Sequence, residues 1–125
     1  MEEVKIYKDI FDNFLNENIS IYSENHIKIS ELISFTGEPE KHLNFTDVYI
    51  ILEGNAVLSY GKDLESEVEV SSGEFRGKAI KNPKKIEVEK GTIVIIPPNN
   101  AHKLDVPDKL RLIVLKLKVN DNLHI

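Results

Sequence analysis

The sequence predicts an all-β protein with one short helix at its N-terminal end. From Asn18 onward, short runs rich in Ile, Val, Tyr, Phe and Thr are broken by Gly, Pro, Asn and Asp, which is typical of an all-β sandwich or barrel. The chain has 125 residues, the usual size of one domain that buries its own core. Because the sequence contains no internal repeat and no linker-like stretch, we expect residues 1–125 to form a single domain.

The helix is predicted over residues 6–16, where apolar side chains recur at steps of three and four. These side chains are Ile6, Tyr7, Ile10, Phe11, Phe14 and Leu15. Polar residues lie between them, so one face of the helix would be apolar and the opposite face would be in contact with water.

Eight strands are predicted after the helix. They cover residues 27–35, 47–53, 56–60, 67–70, 86–89, 92–96, 102–106 and 110–119. The second and sixth of these are apolar at nearly every position, so we expect both of their faces to be covered and the strands to lie in the middle of a sheet. Gly54 is expected to form a tight hairpin between 47–53 and 56–60. Pro97 and Pro98 should end the strand 92–96, because a proline donates no backbone hydrogen bond.

Composition excludes several classes of protein. The net charge is −5, from 16 basic and 21 acidic residues, which disfavours binding to nucleic acid. The apolar runs are much shorter than the ~20 residues that cross a bilayer, so no membrane segment is expected. The acidic start Met1–Lys5 is unlike a secretion signal, and a cytoplasmic location is expected. Since the chain has no cysteine, disulfides, thiolate nucleophiles and cysteine metal sites are excluded.

The small number of histidines limits where a site with imidazole ligands could form. They are His26, His42, His102 and His124. Glu40 and His42 share a face if their segment is extended, and Asp47 can join them if the chain bends between. Carboxylate and imidazole groups of this kind are donors for a divalent zinc, iron, nickel or manganese ion.

Two stretches of the chain resemble the conserved motifs of the cupin superfamily. The second cupin motif is Gly, five residues, Pro, one residue, Gly, two residues, His, three residues, Asn. Here Gly91, Pro97 and His102 are in register with it, whereas Asn99 and Val106 replace the second Gly and the Asn.

The first cupin motif is Gly, five residues, His, one residue, His, three or four residues, Glu, six residues, Gly. Asp47 falls at the Glu position and Gly54 at the closing Gly, while Glu40 and His42 fall at the two histidine positions. The resemblance covers about residues 40–117 and is to the small single-domain cupins.

The resemblance implies a cupin-type jelly-roll β-barrel, over about 27–119, with a pocket in its interior. It further implies a divalent transition metal (Fe, Mn, Ni or Zn) held by His42, Asp47 and His102, with Glu40 as a further ligand or a general base. Such a protein would be an oxygenase, isomerase or lyase acting on a small organic acid or sugar-like molecule. Arg76, if it lies near the mouth of the barrel, could hold a substrate carboxylate in a bidentate contact.

Other roles for these residues remain open. A histidine at a strand end often only hydrogen-bonds a backbone group, Asp47 could cap the turn before its strand, and Glu40 could be a solvated neighbour. The alternative function is a non-catalytic barrel without metal, which binds a small molecule or serves in dimerisation. A homodimer is expected in either case, because an apolar edge strand such as 110–119 needs a partner.

Overall fold

The computed structural model describes residues 3–12, 17–23 and 26–119, and every regular element among them is a β-strand. This confirms the all-β class. The strands are β1 Asn18–Tyr22, β2 Ile27–Thr36, β3 Glu40–His42, β4 Phe45–Gly61, β5 Leu64–Glu65, β6 Val68–Ser71, β7 Glu74–Arg76, β8 Ala79–Ile80, β9 Lys84–Glu89, β10 Ile93–Ile96 and β11 Ala101–Lys118.

Two long strands, β4 and β11, form the centre of the fold. They pair antiparallel along almost their whole length. β2 and β3 pair with the other edge of β11, and β9 and β10 pair with the other edge of β4. β1 extends the sheet beyond β2, and β7 and then β6 extend it beyond β3. β5 and β8 form a separate two-stranded sheet, and the pairings among the described strands do not close the barrel that was predicted.

The bend occurs where the pairing of β4 and β11 is interrupted. The register shifts between Asp105 and Leu110 in β11, and Gly54 of β4 lies opposite, with φ +84°. Bulges of this kind bend a strand and increase its twist. As a result, side chains from both halves of β4 and β11 pack into one core. Its buried members are Leu32, Tyr49, Ile51, Ala56, Leu58, Val88, Ile96, Leu104, Val106, Leu110, Leu112 and Val114.

The predicted hairpin at Gly54 is therefore wrong. Residues 47–53 and 56–60 belong to one continuous strand, and so do 102–106 and 110–118. The left-handed backbone of Gly54 serves a bulge at which Lys109 of β11 approaches closely, and it does not reverse the chain. A glycine with positive φ is compatible with both structures.

Two predictions about strand position are also wrong. The strand over 92–96 was expected in the middle of a sheet, but β10 pairs with β4 alone, and Ile93 and Ile95 are each 64% exposed. Conversely, 110–118 is not an edge, because it pairs with β2 on one side and β4 on the other. The expected corner after β10 is confirmed, with Asn99 in the left-handed region (φ 65°).

The predicted helix is not present in the described part of residues 6–16. Residues 3–8 have no regular structure, and one turn follows, in which the Asp12 amide donates to the Asp9 carbonyl (3.0 Å). Ile6 remains 76% exposed, so its apolar side chain gains little from burial. A helix of about eleven residues is marginal without such packing. Residues 13–16 lie outside the described residues.

The close approach at Gly54 predicts a large destabilisation by Gly54→Ala. A Cβ at this position would lie 1.9 Å from the Lys109 carbonyl oxygen, in addition to the unfavourable φ. Gly91 is the matched control, since its φ is +88° but a Cβ there would meet nothing within 4 Å. In urea unfolding, we expect Gly91→Ala to cost about 1 to 2 kcal/mol and Gly54→Ala a further ~1–3 kcal/mol for the steric conflict. Equal losses in the two variants would contradict the close approach.

Candidate metal centre

Three strands bring together the four side chains that the cupin-like motifs indicated. Glu40 and His42 alternate on β3 and so share a face. A bend at residues 43–44 then leads into β4, where Asp47 is the third residue. His102 is the second residue of β11 and is paired directly with Glu40. The bend that Asp47 required is thus present, between β3 and β4.

The donor atoms of these four residues converge on one point. One ligand atom from each lies within 4.8 Å of the others. His42 Nε2 is 3.2 Å from Asp47 Oδ2 and 3.4 Å from Glu40 Oε1, and His102 Nε2 is 3.4 Å and 3.5 Å from the same two atoms. Asp47 and His102 are each 1% exposed, and His42 is also buried, whereas Glu40 is partly open to solvent. We call these four residues the cluster.

Both imidazoles are held with Nε2 directed into the cluster. His42 Nδ1 donates to Glu74 Oε1 (2.7 Å), and His102 Nδ1 donates to the Asn100 carbonyl (3.0 Å). The two Nε2 atoms are buried, and although they lie 3.2–3.5 Å from the carboxylates, they make no hydrogen bond of ordinary geometry among the described residues. Buried polar atoms nearly always have a partner, and a metal-binding histidine typically donates its other nitrogen to a carboxylate or carbonyl in this way. The residues therefore fit a divalent metal ion.

Cations outside the cluster stabilise its carboxylates. Lys116 Nζ donates to Asp47 Oδ1 (2.9 Å), and Arg76 lies 3.4 Å from Glu40 Oε2. Burial opposes ionisation of both acids, but the two histidines, together with Lys116 for Asp47, outweigh it and hold both pKa values well below the usual range. Both groups are thus charged at neutral pH, as metal ligands must be.

The pKa values of the two histidines in the cluster shift in the opposite direction, upward. Burial disfavours the charged imidazolium of His42, but Asp47 and Glu40 outweigh burial and raise its pKa to about 9. The pKa of His102 is raised for the same reason. In the metal-free protein, the negative carboxylates therefore favour the protonated form of both histidines, and His42 retains its proton at neutral pH.

Arg76 is close to the cluster, but its guanidinium contacts Glu40 and does not line the cavity that adjoins the cluster. Its position on β7 is paired with Glu40 of β3. Its guanidinium also lies 3.7 Å from Glu38 and donates to the Phe75 carbonyl. Among the other histidines, His26 packs against Phe45, away from the cluster, and His124 lies outside the described residues.

A cavity of about 270 Å³ adjoins the cluster, and three of the four cluster residues lie on its wall. Its other polar and aromatic lining residues include Lys28, Tyr49, Lys103 and Lys116. Lys28 and Lys116, like Glu74 behind His42, were not identified from the sequence. No local signal marks the two lysines. Lys28 precedes a run of residues buried on both faces of β2, and Lys116 meets the cluster only through the pairing of β11 with β4.

No protein-family model and no curated protein matches the sequence. The described residues contain no helix long and apolar enough to cross a membrane.

The fold and the cluster define the class: an all-β protein with two histidines and two carboxylates gathered at one buried point. Solved structures share the fold. A cupin protein from Bacteroides fragilis matches with a TM-score of 0.52 and 15% identity, over 76% of this chain and 66% of its own. A predicted oxalate decarboxylase from Thermotoga maritima matches with a TM-score of 0.53 and 14% identity, over 74% and 65%.

A third structure, HppE with iron(II), matches with a TM-score of 0.54 and 11% identity, over 73% of this chain and 42% of its own. The matched region is thus less than two thirds of each of these three chains. At such low identity the likeness concerns the fold. The fold of this protein is the cupin fold, which confirms the resemblance seen in its motifs.

The contact between His42 and Glu74 predicts that Glu74→Ala weakens metal binding. Without the carboxylate, the His42 ring loses both its orientation and a source of basicity, so we expect affinity for manganese or nickel to fall about 10- to 100-fold. Calorimetric titration measures this loss. The control is Glu87→Ala, an exposed acid on β9 with the same charge change. Equal affinity in the two variants would show that Glu74 does not support the centre.

The raised pKa of His42 predicts that metal affinity depends on pH. Below pH 9 the incoming ion must displace a proton from His42, so affinity should rise up to about tenfold per pH unit between pH 7 and 9 and then level off. Protons displaced from His102 would steepen the profile. A histidine with the ordinary pKa near 6.5 would give a flat profile above pH 7. A flat profile in titrations at pH 7, 8 and 9 would therefore contradict the prediction.

Proposed function

We propose that this protein is a metal-dependent cupin enzyme that acts on a small organic molecule in the cavity beside the cluster. The observation that carries this proposal is the convergence of two buried Nε2 atoms, which make no hydrogen bond of ordinary geometry among the described residues, and two ionised carboxylates. Catalytic sites combine such a buried polar group with an adjoining cavity.

His42, Asp47 and His102 would hold the ion, and Glu40 would be either the fourth ligand or a general base. A bound divalent ion would polarise a substrate oxygen or lower the pKa of a water molecule. The donor set of two imidazoles and carboxylate oxygen suits iron, manganese, nickel or zinc. That HppE has been crystallised with iron(II) supports a transition metal in this fold.

Glu40 is the cluster residue best placed to exchange a proton with a substrate. Among the cluster residues on the cavity wall it is the most exposed, whereas Asp47 is fully buried and bound to Lys116. Arg76, expected as a substrate clamp, is proposed instead to fix the orientation of Glu40. Its contact with Glu40 Oε2 leaves Oε1 directed at the two imidazoles.

One observation favours the alternative function, a binding protein without metal. Two protonated histidines would neutralise Glu40 and Asp47 without any ion, and the raised pKa of His42 is consistent with that state. The cluster would then be a buried ionic network beside a binding cavity. The predicted homodimer, cytoplasmic location and single domain over 1–125 are compatible with both functions and remain predictions.

Metal analysis distinguishes the two functions. We expect untagged protein, purified without added metal, to carry about one divalent ion per chain by plasma mass spectrometry. His42→Ala and His102→Ala should each lose the ion, because each variant removes one of only three or four protein ligands. His26→Ala, outside the cluster, is the control and should retain the ion. If the wild type neither carries metal nor takes up iron, manganese, nickel or zinc, the metal-dependent function is wrong.

A further inference from the structure

The cavity beside the cluster contains one lysine that forms no ion pair with a carboxylate of the described residues. Lys28 lies on β2, is partly buried and lines the cavity, but none of the ion pairs within the described part of the chain includes it. The other two lysines on the wall are paired, Lys116 with Asp47 (2.9 Å) and Lys103 with Asp105 (3.2 Å). An ammonium held in a partly apolar cavity without a counter-ion is unfavourable.

The strand register places Lys28 near the cluster. Lys28 is paired with Val114 of β11, and Val114 with Tyr49 of β4, while Lys116 is paired with Asp47 one step along the same inward rows. Burial lowers the pKa of Lys28, the charge of Lys116 lowers it further, and Asp47 and Glu40 act in the opposite direction. Lys28 is therefore within electrostatic reach of the cluster.

Charge balance indicates what the cavity would attract. When a divalent ion is bound between neutral histidines, its two charges balance Glu40 and Asp47. The remaining acid on the wall, Glu38, lies 3.7 Å from Arg76, so the ammonium groups of Lys28 and Lys116 leave the wall positively charged. Such a cavity concentrates small anions.

We propose that the cavity binds a small carboxylic acid whose carboxylate pairs with Lys28 while the rest of the molecule extends toward the cluster. This assignment rests on the proposed function and selects the organic acid over a sugar-like substrate. A volume of about 270 Å³ is at the lower end of ligand cavities, which suits a small molecule. One ammonium matches one carboxylate. Bidentate recognition of a phosphate needs an arginine, and a helix N-terminus is another common phosphate site; neither is found among the residues that line this cavity.

The test uses succinate as probe and the full chain loaded with manganese. Calorimetry measures succinate affinity, and plasma mass spectrometry measures the metal in the same samples. We expect Lys28→Met to retain the ion but to bind succinate at least tenfold more weakly, and Lys28→Gln to do the same. Lys103→Met, which removes a paired lysine from the same wall, is the matched control and should bind like the wild type. Succinamide, of similar shape but neutral, should not bind measurably.

The outcomes separate this assignment from the proposed function. If metal-loaded wild type does not bind succinate, or if both Lys28 variants bind it as the wild type does, the assignment to Lys28 is overturned and the metal-dependent function stands. Tighter binding of methylphosphonate than of succinate would overturn the choice of a carboxylic acid. If the wild type takes up no metal, the proposed function fails first, and this assignment with it.

Discussion

Asp47 and His102 lie on β4 and β11, and the antiparallel pairing of these two strands determines the geometry of the whole site. The register sets Asp47 opposite Lys116 and His102 opposite Tyr60, while the second edge of β11 pairs His102 with Glu40. The bend near Gly54 then folds both strands over one core. A shift of one residue in this pairing would turn each of these side chains to the other face.

Burial of charge is the second constraint on the site. Asp47 and the two imidazoles are almost completely removed from water, where an isolated charge is very costly. Three contacts offset this cost: Lys116 donates to Asp47, His42 donates to Glu74, and Arg76 lies beside Glu40. None of these partners belongs to the cupin-like motifs, yet they decide which atoms of the cluster remain free to bind an ion. The same arrangement leaves Lys28, on the cavity wall, without an ion pair to any carboxylate in the described part of the chain.

Much of the site could be predicted because its four residues lie within two short motifs. Gly91, Pro97 and His102 fix the second motif by their spacing, and the corner after Pro97 is local chemistry. Glu40 and His42 share a face because a strand repeats every two residues. Glu74 and Lys116 could not be found in this way, since they meet the cluster only through pairing of β7 with β3 and of β11 with β4. The shortest strands, such as β3 and β7, have too few residues to show a period.

The sequence by itself determined the all-β class and the approximate positions of its longer strands, since these follow from local propensity and two-residue alternation. Its resemblance to the cupin motifs indicated the four residues of the cluster. Only the tertiary structure decided that the chain continues through Gly54 where a hairpin was expected, that β10 is an edge, and that residues 6–12 form no helix. The physical reason is that a positive φ permits either a turn or a bulge, and an apolar run suits either a central or an edge strand. Long-range pairing, which local sequence does not encode, selects between them.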